Sequence, residues 1–161
     1  MGEAVPGNVA MTRIFGRCLA VSLLAVASTA HALELRGAAT QCALPADFAI
    51  ADGKDLAPEL RGFLGQFSGW WGDKLYHTLV ISNVAADGAA VVHYAHDRYG
   101  PWDLDAPWCG RVPATIAGGM LTLTVGGQRT VATYRLADPD TLHGILKRGG
   151  RTTLGVFKRE K

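Results

Sequence analysis

The chain has 161 residues, 48% of them apolar, and carries a formal net charge of +2 from 16 basic and 14 acidic side chains. That length supports one domain with one real core. The near balance of charge, without a basic cluster, argues against a nucleic-acid partner.

Residues 1–32 read as a secretory signal peptide. Arg13 and Arg17 precede a short apolar run over residues 18–26, and the segment closes on Ala30-His31-Ala32, giving the basic start, apolar middle and small-x-small ending of such a leader. The run is too short for a permanent span, and no later stretch approaches membrane-spanning length. A periplasmic or secreted protein with no membrane span after cleavage is therefore expected, a retained anchor being the alternative. Loss of the leader removes Cys18 and leaves Cys42 and Cys109. Two cysteines in an exported domain most often pair, and this bridge would stabilise by roughly 3–5 kcal/mol in the chain-entropy view. A free, buried pair is the alternative.

Residues 33–54 show no steady period and read as an extended arm before a domain spanning 55–161. Asp55 is a plausible helix cap, and Leu56, Leu60 and Leu64 recur at i+4 spacing, which predicts two to three helical turns; Pro58 fits early in such a helix. Next comes FLGQFSGWWG over residues 63–72. Phe63, Gly65, Phe67, Gly69 and Trp71 share one parity, hence one face of a strand. Glycines between aromatics let large rings lie over neighbouring backbone.

From there the pattern is β. Residues 76–84 and 89–96 flank Asp87-Gly88 and predict a hairpin. Residues 111–117, 120–125, 128–136, 141–147 and 151–159 follow, separated by Gly118-Gly119, Gly126-Gly127, Asp138-Pro139-Asp140 and Gly149-Gly150. Tight turns at near-regular spacing describe an antiparallel meander. Eight strands with no covering helices leave exposed edges unless the sheet closes, so the predicted fold is all-β: an eight-stranded, up-and-down antiparallel β-barrel behind a short helix. A two-sheet sandwich is the competing fold.

The stretch resembles calycin-type barrels, the group of lipocalins and fatty-acid-binding proteins. The likeness covers roughly residues 55–159. It rests on the short helix before the first strand, on a G-x-W element at Gly69-Trp70-Trp71 or, in degenerate form, Gly65-Gln66-Phe67, and on a basic residue of the last strand, Arg159 or Lys158. The resemblance implies that this basic residue packs over the G-x-W aromatic at the closed end of the barrel.

The least regular stretch is DRYGPWDLDAPWCG, residues 97–110, where Tyr99, Trp102 and Trp108 interleave with Asp97, Asp103 and Asp105. Aromatics beside carboxylates suit a sugar or a protein partner; alternatively the tryptophans fold back to plug a barrel end. Tyr94 and His96 share a face in the third barrel strand. If that face looks inward, they are placed polar groups in an apolar pocket, which is how small-ligand sites look. His93 and His96, three apart in a strand, point to opposite faces, so no metal is expected. No cofactor motif is present. Arg135 and Arg148 are expected on solvated faces.

The reading is thus a barrel that binds a small, partly apolar molecule, with Phe67, Trp71, Tyr94 and His96 lining the site and Trp102 and Trp108 closing it. A periplasmic protein bound through residues 97–110 is the alternative. Catalysis by His96 and Asp97, as a small hydrolase or isomerase, has no nucleophile motif behind it.

Overall fold

The computed structural model describes residues 34–36, 41–44, 48–126 and 129–161, with side chains from Leu44 onward. The signal-peptide reading of residues 1–32 and the side chain of Cys42 lie outside the described residues. Within the arm, strands β1 (Glu34–Arg36) and β2 (Gln41–Ala43) form an antiparallel ribbon. Further along, Ala51 N–H bonds Ser82 O at 2.9 Å. Leu44, Phe48 and Ile50 pack over Val80 and Ala95, two apolar residues that face outward from the barrel wall. The arm thus covers a part of the sheet that would otherwise expose apolar surface.

Helix α1 is shorter than its leucine spacing predicts, running Pro58–Arg61. Its cap is Ala57, without a side-chain hydrogen bond, so Asp55 does not cap it. Proline at the first helical position sets the start there, three residues beyond Asp55.

Eight strands close into a barrel. They are β3 (Gly65–Trp71), β4 (Leu75–Val84), β5 (Ala89–His96), β6 (Trp108–Ala117), β7 (Met120–Val125), β8 (Thr130–Asp138), β9 (Thr141–Arg148) and β10 (Arg151–Arg159). Each pairs antiparallel with its sequence neighbour, and β10 pairs with β3 to complete the ring. Closure leaves no unpaired edge in this sheet, and it excludes the sandwich. Strand β6 starts at Trp108, three residues earlier than the sequence pattern suggests, because Trp108 and Cys109 pair with His96 and Ala95.

Alternation decides which residues enter the barrel. Phe67 and Trp71 of β3, Leu75, His77, Leu79 and Ile81 of β4, and Val92 and Tyr94 of β5 are buried at every second position. The middle of the barrel is filled by rings. Trp71, Gly155, Gly144 and Tyr134 are successive cross-strand partners on β3, β10, β9 and β8. A Cβ on Gly144 would stand 2.6 Å from the Trp71 ring, and one on Gly155 2.7 Å from it. The two glycines therefore make the floor on which the indole lies, beside Tyr134 at 5.6 Å and Phe157 at 4.8 Å between ring centroids. This ring layer separates two ends of different character.

Candidate functional site

At one end the chain enters through α1 and leaves through β10, and Arg159 binds them together. Its Nη2 donates to Gly62 O and to Pro139 O, both at 2.8 Å, its Nε donates to Pro139 O at 3.0 Å, and its Nη1 donates to Leu64 O. The Asp140 carboxylate lies 3.3 Å from Nε. The guanidinium sits 4.4 Å over the Phe67 ring, a cation–π contact. Of the two G-x-W candidates, Gly65-Gln66-Phe67 therefore occupies the position beneath the last-strand arginine. A Cβ on Gly65 would collide with Arg159 Nη1, which accounts for the glycine. Trp71, four residues on, belongs to the central ring layer instead. Phe67 and Trp71 are both fully buried, and neither lines the cavity at the opposite end.

Next to the ring layer, His77 makes two hydrogen bonds while wholly buried. Its Nδ1 lies 2.9 Å from Ala95 O and its Nε2 lies 2.8 Å from the Tyr134 hydroxyl. A carbonyl can only accept, so Nδ1 carries the proton and Tyr134 O–H donates to Nε2. Burial pushes the imidazole from its ordinary 6.5 down to about 3, because no counter-charge repays its desolvation. Burial likewise pushes the Tyr94 and Tyr134 phenols up. The buried Trp71 Nε1–H makes no hydrogen bond of good geometry among the described residues.

The other end is a mouth, roofed by residues 97–107. The roof is held by its own backbone: Tyr99 N–H donates to Leu104 O at 2.8 Å, Trp102 N–H donates to Tyr99 O at 3.0 Å, and Asp103 takes a left-handed φ of 55° to turn the chain. Tyr99, Trp102 and Leu104 pack on the core, and the Tyr99 and Trp102 rings meet edge to face at 5.3 Å. Beneath the roof is a cavity of about 330 Å³. Tyr94, His96, Trp102 and Trp108 all line it, so four of the six residues singled out in the sequence come together at one place. The His96 ring stacks on Trp108 at 6.0 Å and 26°, and its Nδ1 lies 2.8 Å from the main-chain oxygen of Asp97. Leu75, Val125 and Leu146 supply apolar wall. The lid aspartates Asp103 and Asp105 also border the cavity, and both are exposed.

Two wall residues were not anticipated. Arg148 does not face solvent as its charge suggests; it follows Leu142, Gly144 and Leu146 on the inward parity of β9, and it is half-buried at the cavity wall. Thr130, the first residue of β8, sits directly across from it. The parity of Leu142 and Leu146 was the available signal for Arg148. Arg135 is exposed. His93 faces away from His96, against Phe48 at 4.7 Å.

No protein-family model and no curated protein matches the chain.

Proposed function

We propose that this is an exported, non-enzymatic β-barrel protein that binds a small, partly apolar ligand at the barrel mouth. The observation that carries the reading is the roofed cavity of about 330 Å³ where Tyr94, His96, Trp102 and Trp108 converge. Its volume falls at the lower end of small-ligand sites, and apolar walls with a few convergent polar groups are their usual make-up. The ligand sits at the mouth rather than along the barrel axis, because Trp71, Tyr134 and Phe157 already occupy the middle. Tyr94 forms the floor, and Trp102 and Trp108 offer ring faces from the roof and from the start of β6.

The signal-like leader supports export, and export in turn favours a Cys42–Cys109 bridge. Mass spectrometry of the exported protein, alkylated before and after reduction, reads both features, and an intact leader or a freely alkylated Cys109 contradicts them.

The binding reading is tested with single-ring probes. Titrating the full chain with benzyl alcohol should quench or shift tryptophan emission, and Trp108→Ala should weaken binding by about tenfold, as loss of a central aromatic contact does. Trp70→Phe, on the outer wall, serves as the control with unchanged affinity. A mouth-binding protein is ruled out if single-ring probes of every charge leave the emission and the heat signal flat.

A further inference from the structure

We propose that the mouth recognises an oxyanion, the carboxylate of a small acid with a single-ring or short branched body, through Arg148 and Thr130. This rests on the mouth-binding reading and names the class of ligand. Thr130 and Arg148 are direct cross-strand partners on β8 and β9, and both sit on the inward parity of their strands. Directly opposed residues of an antiparallel pair bring their Cβ atoms to about 5 Å. Both line the same cavity.

Thr130 is only 4% exposed, and its Oγ1 has no hydrogen-bond partner among the described residues. A buried hydroxyl in that state is costly and uncommon in folded proteins. Beside it, Arg148 forms no ion pair among the described residues, and its positive charge is felt at the buried Tyr94 hydroxyl on the cavity floor. The corner thus brings an unpartnered hydroxyl, closed to solvent in the unliganded protein, onto the same cavity wall as a planar fork of N–H donors. A carboxylate is the group that accepts from both, and guanidinium–carboxylate pairs are among the strongest polar contacts.

The other charged and titratable groups around the cavity are of both signs. His96 approaches from β5, and Arg151 borders the adjoining cleft with Arg148 and Trp102. Asp103 and Asp105 approach from the lid, but both are exposed and solvated, where their repulsion is screened. The rest of the ligand meets Leu75, Leu146 and Trp108, which favours a carbon body over a bare inorganic anion. The cavity's volume takes one ring or a short branched chain, not a long acyl tail.

The test is calorimetric titration of the full chain with phenylacetate, phenylacetamide, phenethylamine and inorganic phosphate. The acid should bind about tenfold or more tighter than the uncharged amide, as charge-assisted hydrogen bonds do, and the preference should shrink in high salt. Arg148→Gln should bring the acid-to-amide ratio close to one. Thr130→Val, which keeps the shape, should weaken the acid several-fold and provides the reading if the arginine variant fails to fold. Equal binding of acid and amide overturns the proposal while leaving the mouth site standing. So does tightest binding of the amine, which would hand recognition to Asp103 and Asp105, or of phosphate, which would remove the carbon body. Failure of all four probes sinks the mouth site and this proposal together.

Discussion

The two ends of this barrel each hold an arginine on the inward side of a strand, and the two arginines are treated in opposite ways. Arg159 meets three carbonyls, a carboxylate and the face of Phe67. Its fork is saturated, and its work is to bind α1 and the last turn to the barrel. Arg148 forms no ion pair among the described residues and stands beside a threonine hydroxyl that is likewise unspent. Saturated polar groups hold a fold in one geometry; unsaturated ones at a cavity wall are groups that a ligand can use. The difference lies in the partners that the chain brings to each arginine.

The largest expected effect concerns the layer that keeps the ends apart. His77→Phe keeps a flat ring but strands the Tyr134 hydroxyl and removes the hydrogen bond to Ala95 O, which should cost roughly 2–5 kcal/mol at neutral pH. In the native protein the folded imidazole titrates only near pH 3, whereas the unfolded one titrates near its ordinary 6.5. As pH falls through 6.5 the unfolded chain takes up the proton first. Stability is therefore undiminished above that pH and declines toward pH 3, by up to roughly 5 kcal/mol from this residue. Urea denaturation across pH 4–7 should show that decline in the native chain and a flatter profile in His77→Phe. Parallel profiles would mean that the imidazole is not held neutral in the ring layer.

The next effect contrasts the arginines directly. Arg159→Gln should lower stability by roughly 2–4 kcal/mol, since it removes several charge-assisted hydrogen bonds and the cation–π contact. Arg148→Gln should change stability by less than about 0.5 kcal/mol. Thermal melts of the two variants side by side decide it; similar losses from both would erase the distinction between a structural and a recognising arginine.

Much of the architecture was legible because it depends on local rules. Paired glycines and Asp87-Gly88 marked the turns, and alternate residues such as Leu121 and Leu123 marked the inward face. The site was legible in part, and the misses have physical causes. Parity puts Phe67 and Trp71 on one face but does not give their depth along the axis. That depth follows from the register of β3 with β10, which sets Trp71 opposite Gly155 and Phe67 opposite Arg159. Whether the barrel is hollow depends on summed side-chain volume, including the missing side chains of Gly144 and Gly155, which no single segment reveals. Charge alone places Arg148 in solvent, yet a strand's last residue can point inward and still keep its head near water. Thr130 follows a turn and gave no signal of its own.

The smallest effect is also the one with the least usual sign. Thr130→Val replaces an unpartnered buried hydroxyl with a methyl group of nearly the same volume. Because the hydroxyl gives up hydration and gains no hydrogen bond among the described residues, its removal should stabilise the unliganded protein by about 1 kcal/mol. That would raise the melting midpoint by a few degrees in a domain of this size. A structural threonine whose hydroxyl served the fold would move the midpoint the other way. Stabilisation of the empty protein, together with weaker binding of phenylacetate, is the combination expected of a residue kept for its ligand at some cost to the fold, and it is the one that a purely structural mouth does not produce.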